Sequence, residues 1–278
     1  MTKLRDKLYL WGQTSGAHHR DGGVNVYQLP GKNRMTPAEG CAYFGIPNCC
    51  RVVMDNRPAP PFDEESSALA HLREVVWSII GSGGSDRNDI GNGDLDEVIR
   101  QARRHPNITG AVLDDFLNPR RMDIFPPARL AEIRNSLRRA AGRPLDLWVV
   151  WYEFEMNERV RPYLAECDVV TFWTWHGKHL DRLPQNLEAA AEAAPSKRLL
   201  AGCYMWNYGE RRPLTAEQMR FQLDTLLEFL ESGRIDGAVV CSNCIADLGI
   251  PEVEQVRRWI AENGERELTG AALAAGAP

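Results

Sequence analysis

Apolar runs of strand length alternate with amphipathic stretches of helix length along the whole chain, the pattern of a parallel sheet covered by helices. The runs fall at 8–12, 49–54, 75–81, 108–114, 145–153, 169–175, 198–204 and 237–242, eight in all. Eight strand-then-helix units favour closure into a single (β/α)8 TIM barrel, an α/β fold that typically takes about 250 residues. The chain has 278. An open doubly wound sheet is the structural alternative, but no nucleotide-binding glycine fingerprint follows the first run.

Helix starts are written into the segments between the runs. Thr36-Pro37-Ala38-Glu39 and Thr215-Ala216-Glu217-Gln218 fit a capping box, and Asp94 with Glu97 fits it similarly. Leu130, Ile133 and Leu137 make one apolar stripe at helical spacing; Met219, Leu223, Leu226, Leu227 and Leu230 make another, and Val253, Val256 and Ile260 a third. All three read as faces turned to the sheet. No linker divides the chain, so one catalytic domain is expected over 1–269, with a disordered tail of small residues over 270–278.

With 44% hydrophobic residues the chain can bury a large core. Thirty-three basic residues against 38 acidic ones give a formal net charge of −5, and no basic block is dense enough to track phosphates, so nucleic acid is not an expected partner. Charges interrupt the N-terminal segment where a signal peptide needs its apolar centre, and no apolar run approaches the roughly 18 residues of a membrane span. The expectation is a cytoplasmic protein without a membrane partner. Seven cysteines, an odd number, argue against a disulfide framework. Cys241-Ser242-Asn243-Cys244 has redox-motif spacing but closes the last run instead of opening a helix after the first, so buried thiols are expected there.

Active sites of such barrels lie where the strands end, which directs attention to the residues closing each run. The first run ends in Gln13, Thr14 and Ser15, with His18 and His19 beyond; the second ends in Asp55, Asn56 and Arg57. The third leads into the glycine-rich stretch 81–89, which reads as a flexible lid because it lacks the lysine of a phosphate-binding loop. The fourth runs straight into Asp114 and Asp115. Since successive strand residues face opposite ways, one of this pair is expected in the barrel mouth and the other against a neighbouring loop or helix.

The fifth run stays hydrophobic until Glu153, the second catalytic candidate, whose structural alternative is an ion pair with Arg120, Arg121 or Lys178. Carboxyl groups closing adjacent strands can divide the work of acid and base, because repulsion and burial drive their pKa values apart. Trp173 and Trp175 share a parity at the end of the sixth run, and Tyr204 and Trp206 follow the seventh, flat surfaces on which sugar rings stack. His176, Asn207 and Asn243 are suited to binding hydroxyls.

Carboxylates, aromatic platforms and amides at the strand ends make an inventory that resembles a glycoside hydrolase-type barrel. Gly110 to Asp115 also resembles the chitinase-like family, although that family's terminal glutamate would fall at Phe116 and its first aspartates at Thr109 and Val112. The Asn-Glu pair that closes strand four in the largest retaining clan is absent, as is its strand-seven glutamate. The resemblance implies hydrolysis of a small carbohydrate by Asp114 or Asp115 with Glu153, without a cofactor. Two other readings use the same residues. His18, His19, Asp114, Asp115, Glu153 and His176 supply oxygen and nitrogen donors for a divalent metal, as in sugar isomerases, epimerases or lyases. Aromatic platforms alone would serve a non-catalytic sugar-binding barrel.

Overall fold

The computed structural model describes residues 2–19, 25–82, 84–140 and 142–268; the tail expected over 270–278 lies outside the described residues, as does Gly83 of the glycine-rich stretch. Eight parallel strands close into a barrel: β1 Leu8–Gly12, β2 Asn48–Arg51, β3 Glu74–Ile80, β4 Ile108–Leu113, β5 Asp146–Tyr152, β6 Val169–Trp173, β7 Arg198–Tyr204 and β8 Gly237–Cys241. The ring is sealed where β1 pairs with both β2 and β8, Leu10 standing opposite Cys49 on one side and Val240 on the other. Helices cover the outer face and side chains fill the inner one, so most strands carry apolar runs where a half-exposed sheet would alternate, β2 with its buried Asn48 and Arg51 being the exception.

Large rings fill the interior. Trp148 meets Tyr9 edge-on at 5.2 Å near the bottom, and Trp173 meets Trp11 at 5.4 Å above it. Each indole needs a glycine on a neighbouring or facing strand: a Cβ on Gly110 would lie 2.9 Å from Trp148 Nε1, and one on Gly202 would fall inside the Trp173 ring. Outside the barrel, Trp77 stacks on Phe62 and Trp151 packs edge-on against Phe172, beneath the helices.

The three apolar stripes lie on the helices Pro127–Ala140, Ala216–Glu231 and Pro251–Asn263 and are buried, except that Leu227 is only partly so. Thr36 caps the helix Pro37–Phe44 and Thr215 caps Ala216–Glu231 with the reciprocal bonds expected of them. Asp94 does not cap the helix Leu95–Arg104 with its side chain. Its carboxylate instead takes hydrogen bonds from Arg87 and Asn88, where a charged donor offers more than a backbone N–H, while Glu97 turns to Phe62 N and Arg100. Below the barrel, Thr2–Lys3 and Glu267–Leu268 pair as a short antiparallel ribbon. Among the described residues no helix is long and apolar enough to cross a membrane.

Candidate active site

A cavity of about 150 Å³ opens where the strands end, lined by Asp114, Asp115 and a cage of rings. β4 stops at Leu113, and Asp115 takes the left-handed conformation with φ of 46°. The alternation of an extended strand therefore does not reach it, and both aspartates line the cavity, where one had been expected to turn away. Such a backbone is uncommon outside glycine, and strained conformations of this kind gather at functional sites. Arg121, on the short helix Pro119–Ile124, fixes the turn from beneath: it donates to the carbonyls of Gly81 and Asp114 and pairs with Asp89 through Nε at 3.1 Å. Asn118 Nδ2 donates to Asp115 O at 2.6 Å.

The two carboxyl groups occupy different environments. Asp114 is 3% exposed; burial, and then the charge of Asp115, push its carboxyl well above the ordinary range, with Arg121 opposing. Asp115 Oδ1 instead accepts a 2.7 Å hydrogen bond from the Tyr152 hydroxyl. Burial holds the phenols of Tyr152, Tyr204 and Tyr208 far above 10, so all three remain neutral donors. Burial also pushes His18 down to about 3, making it a neutral imidazole in the wall of the cavity, 3.4 Å from the Tyr208 hydroxyl.

Around the carboxyls the rings form a continuous cage. Trp175 stacks on Tyr208 at 5.5 Å and 26°, and meets Tyr204 and Tyr152 edge-on at 5.8 Å each. Tyr27 closes the circle against Tyr208 at 5.0 Å and His18 at 5.2 Å. Two polar atoms of the lining, Gln13 Oε1 and Ser82 Oγ, are buried without a hydrogen-bond partner.

Of the residues expected to cleave or bind the sugar, Asp114, Asp115, Trp175 and Tyr204 line this cavity, whereas Glu153, Trp173, His176, Trp206, Asn207 and Asn243 do not. Glu153 lies just past the end of β5, where the chain turns into a 3-10 segment; it accepts from the backbone N–H groups of Trp175 at 2.9 Å and His176 at 3.3 Å, and its Oε1 is 3.2 Å from His179 Nδ1. Its observed partners are thus not Arg120, Arg121 or Lys178. Trp173 is buried in the barrel interior and donates to Thr171, while Trp206 donates to the Tyr27 carbonyl. His176 pairs with Glu210 at 2.7 Å. Asn207 holds Gly177 N and Glu210 N, and Asn243 ties Gln13 to Met35.

Tyr152, Tyr208, Tyr27 and Trp11 are lining residues that the sequence did not single out as site residues, while Gln13 was noted only as closing the first run and His18 only there and as a metal donor. Strand parity would have found Tyr152, since it follows Trp148 and Val150 on the inward face. Tyr27 comes from the long connection after β1 and carries no periodic signal.

The six proposed metal donors are not gathered. His18, Asp114 and Asp115 line the cavity, whereas Glu153 and His176 are engaged elsewhere and His19 lines none of it. Among the described residues no group of three or more His, Cys, Asp or Glu side chains is arranged to hold a metal ion. Cys241 lines the cavity as a buried thiol, and burial pushes Cys244 up to about 12.

No protein-family model and no curated protein matches the chain. Solved sugar hydrolases share its barrel. A putative α-L-fucosidase from Bacteroides thetaiotaomicron is similar over 96% of this chain and 98% of its own, with a TM-score of 0.59 at 11% identity. The GH113 β-mannanase AaManA from Alicyclobacillus acidocaldarius is similar over 94% and 98%, with a TM-score of 0.54 at 12% identity. A GH18 chitinase from Cycas revoluta is similar over 91% and 99%, with a TM-score of 0.54 at 14% identity. At such identities the likeness shows the fold, a (β/α)8 barrel, and leaves chemistry to be argued from the cavity.

Proposed function

We propose that this protein is a glycoside hydrolase in which Asp114 is the general acid and Asp115 the carboxylate that activates water. The observation that carries the reading is the unequal pair at the cavity: Asp114 fully buried, which pushes its carboxyl well above the ordinary range, and its neighbour Asp115 accepting a hydrogen bond from the Tyr152 hydroxyl. Asp114 gives its proton to the glycosidic oxygen as the bond from that oxygen to the anomeric carbon breaks. A water adds its hydroxyl to the anomeric carbon and passes its proton to Asp115. Each aspartate has then exchanged its protonation state, and proton transfer through solvent resets the pair.

The cage explains substrate class. Trp175, half-buried among Tyr152, Tyr204 and Tyr208, offers apolar ring surface to a sugar, polar side chains of Gln13 and Ser82 stand in the same lining, and a space of about 150 Å³ suits one sugar unit. Glu153 becomes a positioning residue, holding the backbone of Trp175 and thus the platform.

The test is to screen the protein against 4-nitrophenyl glycosides and to change Asp114 and Asp115 singly to asparagine. A hydrolase built this way should lose roughly 10³-fold or more in kcat with either change while still binding the sugar. Sugar binding by the unaltered protein with no turnover of any glycoside would leave a non-catalytic binding barrel in its place.

A further inference from the structure

The aromatic cage continues out of the cavity. Among the described residues three large hydrophobic side chains are exposed, Ile90, Phe154 and Phe221, and Phe154 is the one in ring contact with a residue of the cavity lining. It follows the end of β5 by two residues and lies face to face on Tyr152, with centroids 5.1 Å apart and planes 6° apart. Tyr152 is 8% exposed and Phe154 60%, so Phe154 stands on the solvent side of the pair. Tyr152 in turn meets Trp175 edge-on, and rings therefore run without a break from the platform inside the cavity to its rim.

Stacking on Tyr152 occupies one face of the Phe154 ring and fixes its tilt, and the other face is left to water. A flat apolar surface held in place beforehand suits the C–H face of a pyranose, because little ordering is then lost on binding. The cavity of about 150 Å³ suits one sugar unit, so a unit joined to that one lies outside, where Phe154 is exposed. The position of the ring decides which unit this is. Tyr152 bonds Asp115, the carboxylate assigned to the water, whereas the leaving group departs on the side that receives the proton of Asp114. A sugar against Phe154 is therefore joined to the cavity unit through a carbon other than the anomeric one, and stays with it after cleavage.

We infer that Phe154 is the platform for a second sugar unit on the retained side of the bond to be cut. The preferred substrate then carries a disaccharide, not a single sugar, ahead of that bond, and Phe154 is a specificity residue for chain length. This inference rests on the hydrolase reading above for which bond is cut, but the stacking it requires can be measured without turnover.

The experiment is calorimetry on Asp115→Asn, which prevents turnover, alone and combined with Phe154→Ala or Phe154→Trp. Glucose, mannose and N-acetylglucosamine are compared with maltose, cellobiose, β-1,4-mannobiose and N,N′-diacetylchitobiose. A disaccharide should bind about ten-fold more tightly than its monosaccharide; F154A should remove most of that advantage, and F154W, which keeps a flat ring, should retain it. In the unaltered protein the 4-nitrophenyl glycoside of that disaccharide should have a KM lower than that of the monosaccharide by a similar factor, since nitrophenol takes the leaving side in both. Equal affinities, an advantage that survives F154A or is lost in F154W, or no binding of any of these sugars overturns the inference. So does a dimer in sedimentation that F154A dissolves, because a second copy then covers the ring. Phe154-dependent disaccharide binding without turnover of any 4-nitrophenyl glycoside refutes hydrolysis and leaves the platform standing; turnover without a disaccharide advantage does the reverse.

Discussion

The hydroxyl of Tyr152 bonds Asp115 Oδ1 at 2.7 Å, joining the last residue of β5 to the second residue past the end of β4. Neighbouring strands thus supply the two halves of one contact, and the phenol, held neutral by burial, acts only as a donor.

Replacing Tyr152 by Phe keeps the ring and deletes that bond. A hydrogen bond to a charged group is worth about 1.5–3 kcal/mol, so kcat on an activated glycoside should fall about 10- to 100-fold. Steady-state kinetics of Y152F decide the matter, and an unchanged kcat would remove Asp115 from the chemistry.

Asp114 sets the alkaline limb of activity. Its carboxyl is raised by burial and by the Asp115 charge, so the acid form needed for protonating the leaving oxygen is lost as pH rises through that elevated value. The same sign holds for stability, because a raised carboxyl favours the folded state at low pH and ceases to do so as pH rises. Asp114→Asn should therefore melt no lower than the parent protein at pH 8 while losing turnover, as calorimetric melting and rate profiles would show.

His18 and Glu155 act oppositely in acid. His18 is pushed down to about 3 by burial, so the unfolded chain takes up its proton first and stability falls as pH drops below the ordinary 6.5. Glu155 is pushed up from 4.5 to about 7, chiefly by burial and further by the Asp115 and Glu153 charges, so its contribution is complete below 4.5 and disappears as pH rises through 7. Between pH 7 and 4.5, His18→Phe should flatten the decline in Tm and Glu155→Gln should steepen it.

Gly202 gives Trp173 its place in the barrel interior. Alanine there would drive a methyl group into the indole, and overpacking of this kind costs about 1–3 kcal/mol. Thermal melting of G202A should show a drop of several degrees, at about 2–4 °C per kcal/mol for a chain of this size.

The barrel was legible because its strands are buried on both faces: 8–12 and 198–204 were found to the residue, and the other six lay within three residues at either end. Asp114 and Asp115 were visible for the same reason, as charges ending an apolar run. Their shared orientation was not, since it depends on the positive φ of Asp115 and on the Arg121 clamp seven residues after Asp114. Glu153 misled because an acid ending a run looks the same whether it faces a cavity or accepts backbone N–H groups. Trp173 and Trp175 share a parity, yet depth separates them, the first filling the interior and the second reaching the mouth. Tyr27 shows the remaining gap: a loop residue is recruited by three-dimensional closure, which leaves no periodic trace.

The ribbon between Thr2–Lys3 and Glu267–Leu268 brings the two extremities of the described chain within one backbone hydrogen-bonding distance, on the side of the barrel opposite the aspartates. A linear order of eight βα units is thereby turned into a circle in all but covalent connection. Splicing Leu268 to Thr2 by a short linker and opening the chain in an exposed loop beneath the barrel would start translation from a different strand while leaving the carboxyl pair and its cage undisturbed.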